Sequence, residues 1–473
     1  MVFSSLTFLF VFLPLCLIAY FLVPSKYVLA RKYILMVFSI AFYASGESIY
    51  VFLITASVLV TYLLSKQIQK RNVFAFVTAL IVVLLPLGVF KYSNFIIDNI
   101  NRILHQGISN LDLVMPIGIS FYTFQILTYI VDLYKGQVKR QNNIGLLTLY
   151  IFFFPQLIAG PIVKYADIEN ALRSSNEDWD KIKDGTRRFI LGLAKKVILA
   201  NQIGYIVDQV TSTDFSRVST SIMWLASIAF TIQLYFDFSG YSDMAIGLGK
   251  IFGFEFKENF NSPYHSLSIT EFWRRWHISM GSFFRDYIYI PLGGSKKSKF
   301  RWMINILIVW AVTGLWHGAN WNFVVWGLYY AILLMAEKLF LNRILNKCPK
   351  LIAWLYAFFA TVIGWTLFMW ETNSFHYMIS RIVRLFSQTD VFFPFSVSAL
   401  GLNANMVYLF TGIIISTPLG KLIANQMREW IGSYIKCKQV FAIAYDVIMV
   451  GVFIICVIFL VGETYNPFIY FRF

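Results

Sequence analysis

The sequence predicts an all-α, polytopic membrane protein, and three observations carry that prediction. Of its 473 residues, 58% are hydrophobic and only 14% are charged, against roughly 25% charged in a soluble protein. Mean hydropathy is +0.65. Apolar stretches near the length that crosses a bilayer core of about 30 Å, roughly 20 residues, recur along the whole chain. The loops between them are short and rich in Lys and Arg, so residues 1–473 read as one transmembrane domain.

The elements follow in order. The opening MVFSSLTFLFVFLPLCLIAYFLVP has no basic residue before Lys26 and no small-x-small cleavage site, so it reads as an uncleaved first span over 5–23. Further spans are expected at 33–44 with 48–65, 73–92, 113–134, 145–162, 189–208, 220–236 and 241–254. After these come 302–316 with 320–336, 352–370, 405–420 and 440–462. That makes about 11 to 13 transmembrane or re-entrant helices, several of them too short to cross alone. Basic clusters at KYVLARK (26–32), KQIQKR (66–71) and KGQVKR (135–140) mark the cytoplasmic side and put the turn ASGES (44–48) outside. The longest hydrophilic stretch, Lys164 to Arg188, carries six acids and six bases. Its SNEDWDKIKDG is expected to be a capped amphipathic helix on the cytoplasmic surface.

The net charge of +16 lies in the short loops. Anionic lipid headgroups are therefore the expected partners of those bases, and nucleic acid is not. Cys16, Cys348, Cys437 and Cys456 form no CxxC pair and no Cys/His metal spacing. There is no GxxxxGK[ST], HExxH or DxD-like pair, which argues against an ATPase, an intramembrane metalloprotease and a metal-dependent glycosyltransferase. Nor is there an internal repeat of the kind that marks many secondary transporters.

Three constellations carry possible chemistry. The 35 residues from Trp302 to Ala336 contain no Asp, Glu, Lys or Arg, yet His317 sits near their middle. An imidazole in hydrocarbon is costly unless it is buried in protein or lines a wet cavity. Both flanks, GGSKKSKFR (293–301) and LNRILNKCPK (341–350), are basic, so the segment is expected to be a hairpin with a turn deep in the membrane. Gly314 and Gly318 would leave room beside the ring, and Asn320 could hydrogen-bond a nearby group. A histidine satisfied by a neighbouring carbonyl would leave the same trace. The second constellation is SLSITEFWRRWHISMGSFFRDYIYIPLGGSKKS, Ser266 to Ser298, too charged to span and too aromatic for an ordinary loop. Thr270 or Ser268 is placed to cap a helix on which Trp273, Trp276 and His277 share one face beside Arg274 and Arg275. Guanidinium groups at a wet membrane mouth suit phosphates, as Arg274, Arg275, Lys296 and Lys297 would. Lipid headgroups are the plainer partner for such a helix. The third, QLYFDFSGYSDMAIGLG, places Asp237 and Asp243 near membrane depth, where they are expected to pair with the arginines or accept bonds from tyrosines and backbone.

FWRRWHISM, followed forty residues later by LWHGANWNFVVWG, resembles the paired signature of the membrane-bound O-acyltransferase superfamily. FSSLTFLFVFLPL, DFSGYSDMAIG, IPLGGS and NPFIYFRF resemble its bacterial branch of polysaccharide O-acetyltransferases, the alginate and peptidoglycan type. The resemblance implies a ring of helices around a tunnel in a multi-pass protein of the bacterial cytoplasmic membrane. No bound cofactor is implied. Acetyl-coenzyme A or another acyl thioester would be the co-substrate, and a separate SGNH-hydrolase-type protein outside would be the partner. His317 matches the family's essential histidine and His277 the second motif position. His317 is then expected to act as general base, with a transient acyl-histidine as the second reading, and His277 to position the thioester, with Trp276 and the basic residues beside it on the donor side. D-alanyl transfer to teichoic acid, or a transporter of a lipid-linked glycan using His317 as a proton relay, are the alternative readings.

Overall fold

The computed structural model describes residues 1–158, 160–174, 178–215, 218–387, 401–420, 422–423, 425–426, 438–462 and 469. The closing NPFIYFRF motif, apart from Ile469, together with Cys437 and the first residues of SNEDWDKIKDG, lies outside them. Among the described residues every regular element is helical. Among those residues seven helices are long and apolar enough to cross a membrane, and Phe8–Leu22 and Asn403–Ser416 are shorter apolar ones. The chain is an all-α, multi-pass membrane protein.

Two compact units divide the chain, residues 1–189 with 241–257, and residues 190–240 with 258–473. The first holds α1 (Leu13–Leu22), α2 (Val28–Ala44), α3 (Tyr50–Gln69), α4 (Val73–Leu104), α5 (Ile119–Lys135), α6 (Ile144–Phe152) and α7 (Tyr165–Arg173). Helix α6 stops well before the expected 162. Phe153 leaves the helical region (ψ 108°), Pro155 has no N–H to continue the ladder, and a new short helix, Phe154–Leu157, starts with that proline in its first turn. Nearby, Phe3, Phe8, Phe12, Phe42 and Phe154 pack ring against ring, with centroids 5.0–6.3 Å apart.

Two long helices run from one unit into the other along the chain: α8 (Trp179–Ser212, 34 residues) and α9 (Thr220–Ile251, 32 residues). Both correct the expected segmentation. The amphipathic stretch after Asp178 is no separate surface helix; it forms the first turns of α8, since no proline interrupts it and Gly185 is accommodated within the helix. In those turns Arg188 Nη2 donates to Asp243 at 2.8 Å and Lys181 meets Glu255 at 3.0 Å. The expected spans 220–236 and 241–254 are one helix. Polar residues along it lower the hydropathy locally, but several have partners inside the fold. Ser227 and Thr231 donate to carbonyls one turn back at 2.8 and 2.7 Å, and Asp237 pairs with Lys196 at 2.6 Å.

The second unit continues with α10 (Ile269–Arg275), α11 (Ile278–Phe284), α12 (Lys299–His317), α13 (Trp321–Leu345), α14 (Lys350–Met369), α15 (Phe375–Arg384), α16 (Asn403–Ser416) and α17 (Lys438–Gly462). Its core is aromatic, built around Phe272, Trp276, Trp326, Tyr330, Trp365 and Phe368.

Candidate active site

Helix α10 is only seven residues long, and its start is held from several sides. Ser268 Oγ accepts from Glu271 N–H at 3.1 Å, while Glu271 Oε2 accepts from Leu267 N–H at 2.9 Å. This is a capping-box arrangement and satisfies donors the helix leaves open. A second carboxylate reaches the same end from α13. Fully buried Glu337 accepts from Ile269 N–H (2.6 Å), Thr270 N–H (2.8 Å), Thr270 Oγ1–H (2.5 Å) and the Tyr356 hydroxyl (3.1 Å). Sequence reasoning missed Glu337 because it ends an uncharged run and looks like ordinary helix-end punctuation.

The helix does not carry His277. Trp276 is extended (φ −101°, ψ 129°) and His277 is left-handed (φ 44°, ψ 53°), so α10 ends and α11 starts in a new direction. Trp273, Trp276 and His277 therefore do not share a helix face as expected. Asn259 holds the kink: its carbonyl accepts from Ile278 N–H at 2.9 Å. Its side-chain Oδ1 takes Ser279 N–H at 3.1 Å, Ser279 Oγ–H at 2.9 Å and His277 Nδ1 at 3.2 Å. No local pattern in the sequence points to Asn259, because its partners lie 18 and 20 residues away. The His277 ring is fully buried, edge-on to Phe238 at 4.6 Å. Burial pushes its pKa down to about 3, so the imidazole is neutral near pH 7.

His317 ends α12 and is 6% exposed. Its ring meets Trp316, Trp326 and Phe368 at centroid distances of 4.8, 5.0 and 5.2 Å. His277 lies 6.0 Å from the same Trp316 ring. The fold thus brings both histidines to one tryptophan, although forty residues separate them. Gly314 and Gly318 do not leave room beside the imidazole. A Cβ at Gly314 would collide with the Phe323 carbonyl, one at Gly318 with the Phe323 ring, and one at Gly327 with the Trp310 carbonyl. The glycines let α12 and α13 touch backbone to backbone, and the space is already filled.

The turn between them is tied to the far end of α14. Trp321 N–H donates to Asn373 Oδ1 at 3.1 Å, and Asn322 N–H to the Thr372 carbonyl at 3.3 Å. Asn322, not Asn320, is the buried amide here; Asn320 is half-buried and makes no side-chain cap. Helix α14 starts in the basic loop and its 20 residues rise about 30 Å. The His317 turn, tied to its far end, therefore lies about a helix length from that loop.

A cavity of about 460 Å³ opens within this unit, lined by Trp273, Arg274, Ile278, Phe284, Arg285 and Thr313, among others. Ile278 follows His277 directly, and His317 lies one helical turn beyond Thr313. Only part of the expected basic cluster lines it. Arg275 is engaged by Glu271 (Nε–Oε1 2.9 Å) and by the Asn261 carbonyl (3.2 Å). Trp276 is buried in the aromatic core, against Phe272 at 5.5 Å and Trp365 at 4.9 Å. Lys296 and Lys297 are exposed on the loop before α12 and do not line the cavity. Arg285, held to Asp286 at 2.8 Å, takes the place they were expected to fill. Nor do the aspartates pair with the site's arginines. Asp237 binds Lys196 and accepts from Ile469 N–H at 2.9 Å, and Asp243 binds Arg188.

Comparison with known proteins gives a consistent answer. The profile of the membrane-bound O-acyltransferase family matches residues 134–380. A probable alginate O-acetylase of Azotobacter vinelandii is 40% identical over 381 residues, 78% of this chain and 75% of that protein. The peptidoglycan O-acetyltransferase of Helicobacter pylori is 34% identical over 78% of this chain and 77% of its own. The teichoic acid D-alanyltransferase of Bacillus subtilis is 28% identical over 66% and 77%.

Proposed function

This chain belongs to the membrane-bound O-acyltransferase family, and from that premise we propose that it moves an acetyl group from a cytoplasmic thioester to a hydroxyl on the outer side of the bacterial cytoplasmic membrane. The donor is acetyl-coenzyme A or a similar thioester. Its phosphates meet Arg274 and Arg285, and its acyl end lies in the cavity toward Thr313. The acceptor is a polysaccharide hydroxyl of the alginate or peptidoglycan kind named for the relatives, reached directly or through a separate SGNH-hydrolase-type protein. The observation that carries this reading is the cavity itself: guanidinium groups line it, and although neither histidine does, Ile278 and Thr313 of its lining are the next residue after His277 and the residue one helical turn before His317.

In the reaction, the acceptor oxygen forms a bond to the thioester carbonyl carbon and the carbon–sulfur bond breaks. His317 takes the hydroxyl proton as the oxygen attacks and passes it to the leaving thiolate. The surrounding rings of Trp316, Trp326 and Phe368 keep water away from the thioester.

Purified enzyme in lipid nanodiscs, supplied with acetyl-coenzyme A and acceptor, tests the proposal through coenzyme A release and acetyl transfer. Wild type should turn over, and His317→Gln should lose at least about 10²–10⁴ in rate while still binding donor, because an amide cannot serve as a base. Near-normal turnover by His317→Gln removes the base assignment. Consumption of a D-alanyl carrier thioester instead moves the enzyme to the teichoic acid branch. Proton-coupled glycan movement without acyl transfer replaces the reading with a transporter.

A further inference from the structure

The hydrogen bonds around Asn259 say more about His277 than its position does. Asn259 Oδ1 lies 3.1 Å from Ser279 N, a backbone group that can only donate. The atom facing it must therefore be the amide oxygen, since the reverse orientation would set two donors face to face. The same oxygen lies 3.2 Å from His277 Nδ1. An oxygen with no hydrogen can only accept, so the proton of the neutral ring is on Nδ1 and the lone pair is on Nε2. Phe238 stands edge-on to the ring at 4.6 Å and packs it in this place. A flipped ring would turn a C–H toward Asn259 and forfeit the bond.

We infer that Asn259 is a positioning residue that fixes His277 as its Nδ1–H tautomer and so makes Nε2 a hydrogen-bond acceptor within the acyl-transfer site. The inference rests on the reading of this site as an acyltransferase centre, but the tautomer is a property of the resting protein. It alters the role expected of His277. A neutral imidazole whose Nε2 carries a lone pair cannot donate from that nitrogen to a thioester carbonyl. It can accept from an N–H or O–H. Polarising the thioester carbonyl then falls to other donors.

The test is nitrogen NMR of the full-length enzyme, ¹⁵N-labelled at histidine, in nanodiscs near neutral pH, with the His277 signals identified by their loss in His277→Asn. The expected result is a protonated Nδ1 and an unprotonated Nε2. Asn259→Ala should give a mixture of tautomers and lower kcat about 10–100-fold, with the donor KM changed less than about twofold. Asn259→Asp keeps an acceptor in place, so it should retain the tautomer and recover most of the activity. Ser279→Ala removes a neighbouring bond to the same oxygen without touching the ring, and should leave tautomer and kcat unchanged. A wild-type ring protonated on Nε2, or Asn259→Ala with undiminished kcat, overturns the inference. If Asn259→Ala fails to fold, the wild-type spectrum and Asn259→Asp decide it. Absence of any acyl transfer by wild type, with Nδ1 protonated, would overturn the acyltransferase reading and leave the tautomer assignment standing.

Discussion

Two arginines adjacent in sequence, Arg274 and Arg275, have separate tasks. Arg274 lines the cavity, whereas Arg275 folds back on Glu271. A charge-assisted bond to a donor phosphate is worth roughly 1.5–3 kcal/mol, so Arg274→Ala and Arg285→Ala should each raise the donor KM about tenfold or more. Arg275→Ala breaks a partly exposed pair worth about 0–1 kcal/mol and should leave the donor KM within about twofold. Steady-state kinetics on the three variants checks this, and an equal effect of all three would mean the phosphates approach from another side. His277 offers a test by pH. Its pKa is near 6.5 unfolded and about 3 folded, because burial disfavours the charged ring. Between those values the unfolded chain binds a proton that the folded chain does not. Stability should therefore fall as pH drops below about 6.5, by roughly 1.4 kcal/mol per unit. His277→Asn lacks the titrating group, and asparagine tolerates left-handed backbone. Its unfolding free energy, measured in detergent between about pH 7 and pH 5, should show a shallower slope. Equal slopes would mean that the ring is solvated in the folded protein.

At the scale of the element, the short helix α10 depends on a group outside it. Seven residues cannot sustain a helix by propensity, since nucleation is costly and few internal bonds form. Glu337 compensates with three bonds to the α10 N-terminus and one from Tyr356. Glu337→Ala should cost about 3 kcal/mol or more, because several buried donors lose their acceptor at once. It should also raise the donor KM, since Trp273 and Arg274 ride on that helix. Glu337→Gln retains only one good acceptor and should fall between. Thermal unfolding with donor kinetics on both variants checks the order, and an unaffected KM in a folded Glu337→Ala would free α10 from this anchor. The sequence could not show the anchor, because Glu337 and Ile269 are 68 residues apart. The Ser268–Glu271 cap could be read, since its partners are three residues apart.

For the molecule as a whole, the arrangement of basic loops makes a prediction about sidedness. Cysteines placed at Ser298 and Asn346, at the two ends of the α12–α13 hairpin, should be labelled by an impermeant reagent only from the cytoplasm. Cysteines at Gly46 and Asn373 should be labelled only from outside, Asn373 because it is tied to the hairpin turn. Labelling of Ser298 and Asn346 from opposite sides would mean that the segment crosses an odd number of times. Labelling of Asn373 from the cytoplasm would put the His317 turn on the donor side and remove the route to an outer acceptor.

The sequence by itself determined the membrane class, the helical content and the placement of most spans, and it singled out the two histidines as candidates. These rest on composition and local pattern: a run of apolar residues must be helical in a bilayer because its backbone polar groups have no other partner there, and the histidine motifs are contiguous. Only the tertiary structure decided which polar groups meet. Burying Asp237 against Lys196 let one helix run through a stretch that hydropathy divides in two. The left-handed turn at His277, held by Asn259, broke a helix that periodicity would have continued. The cavity took Arg274 and Arg285 and left out Arg275, Lys296 and Lys297. The reason is common to all three: the energy of a buried polar group depends on its partner, and that partner is supplied by folding, from residues far away in the chain.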